Sequence, residues 1–219
     1  MLTPIEQARQ NMIENQVRPW EVLDHRVLEV LGAVHREAFV PAAWRALAFA
    51  DLALPIGDGE VMLKPVVEGR VLQALALAPV ENVLQIGTGT GFLAACMARL
   101  AGNVTSVEIR PDFADTARAN LAAAGVRNAS VVVADGVCGF TTDQRFDAVV
   151  VCGGVFTLPE HFRDWVRPGG RLFAFVGESP VLRAILHERL DDSHWRNETL
   201  FETDLPYLQH AEPPRRFAL

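Results

Sequence analysis

Short apolar runs alternate with helix-forming segments through the middle of the chain. β-branched and other apolar residues fill the predicted strands at residues 83–86, 104–109, 130–134, 146–152 and 171–176. Residues 92–100, 111–124 and 159–166 are rich in good helix formers and are predicted to be the helices between them. Strands that alternate with helices in this way favour a mostly parallel sheet with helices on both faces.

The pattern changes on both sides of this region. Two longer apolar segments, 181–190 and 198–208, are joined by a polar stretch and predict an antiparallel hairpin on the edge of the sheet. Residues 212–219 show no periodicity. The pattern as a whole predicts an α/β fold: a doubly wound, mostly parallel seven-stranded sheet with a C-terminal antiparallel hairpin and an N-terminal helical extension.

The N-terminal extension lacks the strand–helix alternation. Thr3, Pro4 and Glu6 form a capping-box pattern that predicts a helix ending near Arg18, and Asp24 begins a second one. A short helical piece is predicted at 42–48, an extended stretch and turn at 51–59, and a further helix at 65–77. We therefore divide the chain into a helical cap with a substrate-side loop, 1–79, and a core, 80–219.

A glycine-rich turn, Gly87-Thr-Gly-Thr-Gly91, separates the first core strand from the helix that begins at Phe92. Glycines let the backbone approach a ligand closely, and the helix N-terminus behind them offers free N–H groups. A dinucleotide site would require the spacing G-x-G-x-x-G, with a glycine where Phe92 stands, so a dinucleotide oxidoreductase is disfavoured. A glycine-rich turn without any ligand remains the alternative.

Acidic residues and glycines follow the later strands. Glu108 ends the second strand about 20 residues past the first glycine, where a carboxylate that accepts from ribose hydroxyls is expected. Asp135-Gly136 and Gly153-Gly154 follow the third and fourth strands. The carboxyl ends of parallel strands share one edge of the sheet, where open α/β sheets bind their ligands.

Composition narrows the classes of function. The 219 residues are 50% hydrophobic and 21% charged, and the net charge of −7 without a basic run argues against a nucleic-acid surface. We find no signal-peptide pattern and no apolar run that would span a membrane. Cys96, Cys138 and Cys152 lack metal-ligand spacing and fall in or beside predicted core elements, which indicates buried, reduced thiols in a cytoplasmic protein. The histidines are scattered, so no metal site is predicted.

Seven short motifs resemble the protein-L-isoaspartate O-methyltransferase family, from about residue 10 to about residue 208. They are Asp24-His-Arg-Val-Leu28, Arg36-Glu-Ala-Phe-Val-Pro41, Ala53-Leu-Pro-Ile-Gly57, Val83 to Gly91, Asp135-Gly136, Phe146-Asp-Ala148 and Pro168-Gly-Gly-Arg-Leu172. The resemblance implies a Rossmann-like class I methyltransferase fold and S-adenosyl-L-methionine (SAM) as methyl donor. It also implies a protein or peptide acceptor, methylated on the carboxylate of isoaspartyl residues.

The resemblance also implies roles for individual residues. Gly87, Gly89 and Gly91 are expected to cradle the methionine part of SAM, with Thr88 between them. Glu108, next to Ile109, is expected to hold the ribose hydroxyls, and Asp135 with the backbone of Gly136 to meet the adenine amino group. The full set of expected cofactor-binding residues is Gln85, Gly87, Thr88, Gly89, Gly91, Glu108, Ile109, Asp135 and Gly136.

Two departures from the family pattern bear on function. Gln85 stands where family members usually have a glutamate that helps to hold the SAM ammonium. In the stretch from Glu60 to Pro65, Val61 and Leu63 replace two hydroxyl residues of the family and Lys64 adds a charge, so these three are candidate acceptor-site positions. The alternatives are therefore a SAM-dependent methyltransferase with another acceptor and a non-catalytic SAM-binding member. The sequence leaves open whether the protein is a monomer or a homodimer.

Overall fold

The computed structural model describes residues 2–214 and is built on one seven-stranded sheet. Its strands are β3 Asn82–Ile86, β4 Asn103–Glu108, β5 Ala129–Val133, β6 Phe146–Val155, β7 Val166–Glu178, β8 Val181–Arg189 and β9 Trp195–Thr203. They lie in the order β5–β4–β3–β6–β7–β8–β9. The pairs from β5 to β7 are parallel, and β8 is antiparallel to both of its neighbours. The predicted fold class is confirmed.

Helices pack on this sheet, and a small hairpin lies beside it. The helices are α1 Pro4–Met12, α2 His25–Ala33, α3 Arg36–Phe39, α4 Pro65–Leu75, α5 Phe92–Leu100, α6 Pro111–Ala123 and α7 His161–Asp164. Strands β1 Leu54–Gly57 and β2 Glu60–Met62 pair antiparallel, in a stretch where the sequence predicts only extended chain and a turn. Among residues 2–214, no helix has the length and apolar character required to cross a membrane.

The first helix begins at the predicted cap but changes its form along the way. The Glu6 amide donates to Thr3 Oγ1 at 3.3 Å, and the Thr3 amide donates to Glu6 Oε2 at 2.7 Å, which completes the capping box. After Met12 the chain continues as a π-helical turn, Ile13–Val17, and then as a 3₁₀ turn. Gly69 of α4 explains the close packing there, since a Cβ at this position would lie 2.8 Å from Val17 Cγ1.

One hydrophobic core joins the two regions into which we divided the sequence. Met12, Leu31 and Leu72 from the N-terminal region belong to the same buried cluster as Val83 and Phe92 from the sheet region. The cap therefore covers apolar surface of the core and of α5, and the site described below has walls from both regions.

Two predicted elements end in other places than expected. The helix predicted at 159–166 is reduced to the single turn α7, because Val166 already pairs with Phe146 at the start of β7. The last strand, predicted at 198–208, is Trp195–Thr203, and the following segment leaves the sheet and hydrogen-bonds to Gly154. Of the tail predicted to lack periodicity, residues 215–219 lie outside the described part of the chain.

A half-buried ion pair joins the residue before the first core strand to β7. Arg171 donates through Nη1 and Nη2 to the two carboxylate oxygens of Glu81, each at 2.7 Å, and through Nε to the Leu75 carbonyl at 2.6 Å. Burial favours the neutral form of Glu81, but the hydrogen bonds from Arg171 and from the Ala78 amide outweigh it and keep the pKa of Glu81 below its usual value. The forked geometry suits a guanidinium and not an ammonium.

We expect Arg171→Lys to lower the free energy of unfolding at pH 7 by roughly 1–3 kcal/mol, because one ammonium cannot make all three bonds. A folded-state pKa that is lowered gives stability that is present above the unfolded-state pKa, near 4.5, and is lost as the pH falls through the folded value. The difference from wild type should therefore shrink below about pH 4. Urea unfolding at pH 7 and pH 3 measures it. Arg118→Lys, in an exposed pair with Asp115, is the matched control and should change little.

Candidate functional site

A cavity opens where the strand order reverses. The chain runs from β3 to β4 and β5 on one side and returns to β6 and β7 on the other, so the reversal lies between β3 and β6. Ligands of open α/β sheets bind at this point, beside the carboxyl ends of the strands. The expected cofactor residues Gln85, Gly87, Thr88, Gly89, Glu108, Ile109, Asp135 and Gly136 all line the cavity.

The glycine turn has a backbone that favours glycine at three positions. Gly87, Gly89 and Gly91 have φ values of 86°, 55° and 86°, in the left-handed region. Gly91, the expected cofactor residue that does not line the cavity, lies behind it, where a Cβ would be 3.3 Å from the Ala117 carbonyl oxygen. The turn therefore exposes its backbone to the cavity at Gly87 and Gly89 and packs against α6 at Gly91.

Glu108 holds this turn in place. Its Oε2 accepts from the Thr88 amide at 3.0 Å and the Gly89 amide at 2.9 Å, and its Oε1 accepts from the Arg110 amide at 3.1 Å. The side chain is only 6% exposed. The sequence predicts a ribose ligand here, and the structure adds that the same carboxylate positions the glycine turn.

Gln85 is the centre of a buried hydrogen-bond network beneath the turn. Its Nε2 donates to the Gly87 carbonyl at 2.9 Å and contacts Cys152 Sγ at 3.4 Å, while its Oε1 accepts from Ser106 Oγ at 3.0 Å. The Ser106 hydroxyl lies 2.6 Å from that of Thr88. An amide fits this network at both ends, because a carboxylate at position 85 has no N–H to offer the Gly87 carbonyl.

The Asp135 carboxylate accepts hydrogen bonds from the backbone amides that follow it in the chain. Its Oδ1 accepts from the amides of Val137 at 2.8 Å and Cys138 at 3.0 Å, and its Oδ2 lies 2.6 Å from His210 Nδ1. Burial raises the pKa of Asp135, but these hydrogen bonds and His210 hold it below its usual range. Gly136 is required by space, since a Cβ there would lie 2.5 Å from Ile86 Cγ2. The adenine contact of Asp135 stays a prediction.

His210, Asp135 and Cys138 each have one potential metal-ligand atom, and these three atoms lie within 4.8 Å of one another. The sequence spacing does not predict this proximity.

The sequence-based prediction of buried thiols is wrong for Cys138, which is exposed because it lies in the turn after β5 and not in a core element. Cys96 is buried in α5. Burial chiefly raises the pKa of the Cys152 thiol to about 12, and the charges of Glu68 and Glu108 add to the effect.

Residues 205–211, which we call the strap, cross the cavity after the last strand. The Gly154 amide donates to the Pro206 carbonyl at 2.8 Å, the Leu208 amide to the Gly154 carbonyl at 2.9 Å, and the Phe156 amide to the Ala211 carbonyl at 2.8 Å. Gly153 makes room for the strap, because a Cβ there would lie 2.6 Å from the Leu208 side chain. The sequence reads as a strand at this point, so the strap was missed.

The N-terminal region supplies the opposite wall. Val61 and Leu63, two of the candidate acceptor-site positions, line the cavity, whereas the third, Lys64, does not. Glu68 of α4 also lines the cavity and forms a buried ion pair with Arg36 of α3. Sequence reasoning missed this pair. The available signal was an acidic residue on the otherwise apolar first turns of a helix that the cap buries.

The comparisons with known proteins agree on one family. The family model for protein-L-isoaspartate(D-aspartate) O-methyltransferase matches residues 7–204. A protein-L-isoaspartate O-methyltransferase of Methanoculleus marisnigri is 40% identical over 174 residues, which cover 80% of this chain and 79% of the relative. Another, of Syntrophobacter fumaroxidans, is 37% identical over 183 residues, which cover 84% of this chain and 86% of the relative.

Solved structures share the fold. A Plasmodium falciparum chain described as a protein-L-isoaspartate O-methyltransferase, in complex with S-adenosyl-L-homocysteine, superimposes with a TM-score of 0.79 at 18% identity and covers 92% of this chain and 98% of its own. A second protein-L-isoaspartate O-methyltransferase gives a TM-score of 0.76 at 23% identity, over 91% of this chain and 65% of its own. At these identities the likeness supports the architecture alone.

We expect Glu108→Ala to raise the hydrogen-exchange rates of the Thr88 and Gly89 amides about tenfold or more, since each loses a bond to a charged acceptor. Asp135→Ala is the matched control, because it should leave these two amides unchanged and accelerate Val137 and Cys138 instead. Exchange followed by NMR on both variants measures this. Unaltered rates at Thr88 and Gly89 in Glu108→Ala would show that the turn holds itself.

Proposed function

Because this chain belongs to the protein-L-isoaspartate(D-aspartate) O-methyltransferase family, we propose that it transfers a methyl group from SAM to the side-chain carboxylate of isoaspartyl residues in proteins or peptides. The observation that carries the proposal is the cavity at the sheet reversal, which unites the glycine turn and Glu108 with Val61 and Leu63 of the N-terminal region. One wall thus fits a nucleoside donor, and the other belongs to the part of the chain expected to meet the acceptor.

The residues present fit the donor. Gly87 and Gly89 leave space that a Cβ would fill, and the turn offers backbone groups to a ligand that lies against it. Glu108 has lone pairs beyond those used by three amides and is suited to accept from ribose hydroxyls. When bound, SAM supplies an electrophilic methyl group on a sulfonium. Gln85, Thr88, Ile109, Asp135 and Gly136 complete the proposed donor site.

The proposed reaction requires little general acid–base catalysis from the chain. A carboxylate acceptor is ionised at neutral pH, so its attack needs no general base, and catalysis depends on proximity and orientation. Val61 and Leu63 exclude water from the wall beside the turn. Glu108 keeps the turn, and with it the donor, in a fixed position relative to that wall.

A second candidate is a SAM-dependent methyltransferase with a less polar acceptor. The specific observation in its favour is the apolar character of Val61 and Leu63 in the cavity wall, because an unpaired carboxylate is costly to bury.

The proposed function includes a cytoplasmic location, supported by the free thiols of Cys96 and Cys152. The acidic net charge supports the absence of a nucleic-acid partner.

Transfer from labelled SAM to an isoaspartyl peptide and to its aspartyl twin tests the proposal. We expect label on the isoaspartyl peptide in a base-labile ester, and none on the twin. Equal labelling of the two would contradict the isoaspartyl specificity. SAM binding without transfer to either peptide would favour another acceptor or a non-catalytic role.

We expect the double change Val61→Thr, Leu63→Ser to raise the rate of isoaspartyl transfer modestly, because hydroxyls at these positions offer hydrogen bonds to the incoming carboxylate. Leu63 is 9% exposed, so its replacement by serine should lower the free energy of unfolding by about 2–4 kcal/mol, and the unfolding temperature is measured beside the rate. The matched control is Val61→Ala, Leu63→Ala, which removes volume without adding hydroxyls and should not gain activity. A gain in both double variants would attribute the effect to space.

A further inference from the structure

A buried acid with one free oxygen lies in the wall of the cavity. Glu68 is 2% exposed, and its Oε2 accepts from Arg36 Nη1. Its Oε1 has no hydrogen-bond partner among residues 2–214, yet it is not one of the fully enclosed polar atoms. Glu68 lines the cavity and is otherwise buried, which leaves the cavity as the side from which this oxygen can be reached.

Arg36 is held by more than this acid. Its Nε donates to the Ala48 carbonyl at 2.8 Å, its Nη2 donates to the Leu63 carbonyl at 2.7 Å, and its guanidinium carbon lies 5.1 Å from the centre of the Phe92 ring. The guanidinium is therefore fixed on several sides, and it fixes Glu68 in turn. A buried ion pair is often no more stable than apolar side chains of the same volume, so stability alone does not explain an acid here.

The free oxygen belongs to the most deeply buried acid among the described residues that line the cavity. Glu108 and Asp135 also line the cavity, but each accepts from backbone amides through its carboxylate. Glu60 lies on the β1–β2 hairpin and is half-buried. Gln85 is neutral, and its amide nitrogen and oxygen already hydrogen-bond to Gly87 and Ser106. Cys152 lies near both Gln85 and Glu68.

We propose that Glu68 is the anionic group that binds the α-ammonium of SAM. The inference rests on the proposed function through its methyl donor. It assigns the methionine end of SAM to the side of the cavity between α4 and the glycine turn, and it leaves the ribose to Glu108. Glu68 is then a binding residue, and Arg36 is a positioning residue that holds its carboxylate.

The protonation of Glu68 provides a signature of this role. Burial raises the pKa of Glu68 to about 8, against the lowering effect of Arg36, so the free protein holds a proton on this carboxyl group at a higher pH than an exposed glutamate would. The other titratable groups near it are the thiols of Cys96 and Cys152, and burial raises the pKa of both, which keeps them neutral. A bound ammonium favours the ionised form, so binding should release the proton.

Calorimetry on the full chain at pH 6.5, in two buffers of different ionisation enthalpy, tests the proposal with two ligands. SAM carries the ammonium, which is protonated at this pH since α-amino groups titrate near ~8. 5′-Methylthioadenosine keeps the adenosine and lacks the ammonium. We expect wild type to release protons on binding SAM and none on binding 5′-methylthioadenosine.

Glu68→Gln should weaken SAM roughly ten- to a hundredfold and abolish the proton release, because a charged hydrogen bond is lost. The amide oxygen still accepts from Arg36, and unchanged affinity for 5′-methylthioadenosine shows that the variant is folded. Glu108→Ala is the matched control and should weaken both ligands, since both carry the ribose.

Three results would overturn the assignment. Equal SAM affinity in wild type and Glu68→Gln would remove Glu68 from the donor site, even if the peptide KM changed. Equal weakening of both ligands would make it a structural partner of Arg36 only. A wild-type protein that binds 5′-methylthioadenosine but not SAM would remove the donor itself, and with it the proposed function. The first two results leave the proposed function intact.

Discussion

The attachment of the glycine turn to Glu108 is the contact on which the site depends. Gly87 and Gly89 have left-handed backbones, and the chain turns between them so that the Thr88 and Gly89 amides face the same carboxylate. One carboxylate oxygen gathers the Thr88 and Gly89 amides, and the other takes that of Arg110. The ends of β3 and β4 are thereby joined at the reversal of the sheet, and the cavity has a rigid floor on one side. The same oxygens remain close enough to the cavity to serve a ligand.

The sequence predicted the sheet well because its signal is local. Each core strand is an apolar run closed by a glycine or an acid, and the parallel order follows from the alternation with helices. The prediction failed where distant contacts decide the structure. The chain after Thr203 has the composition of a strand, but its backbone hydrogen-bonds to Gly154 and lines the cavity instead of continuing the sheet. Likewise, α7 is cut short because Val166 is already paired with Phe146.

In the candidate site too, residues with a local sequence signal were predicted and residues placed by distant contacts were not. The glycine turn, Glu108 and Asp135 were all identified from their positions at strand ends, and all of these residues except Gly91 line one cavity. Glu68 and Arg36 were not found, since their pairing joins α3 to α4 within the cap and has no spacing rule. Gln85 was expected among the cofactor-binding residues, and the structure adds that its amide both donates and accepts in a buried network.

The strap gives the C-terminal segment a part in whatever the cavity binds. Leu208 lies over Gly87 and Gly153, and His210 reaches Asp135, so the strap and a ligand in the cavity are neighbours that share the same groups. Such neighbours are thermodynamically linked, and the linkage is reciprocal. If an occupied cavity makes it harder to detach the strap, then detaching the strap lowers the affinity of the cavity by the same factor. The resistance of the strap to proteolysis would then depend on whether the cavity is occupied. Protease resistance and ligand affinity would be two measures of one coupling free energy.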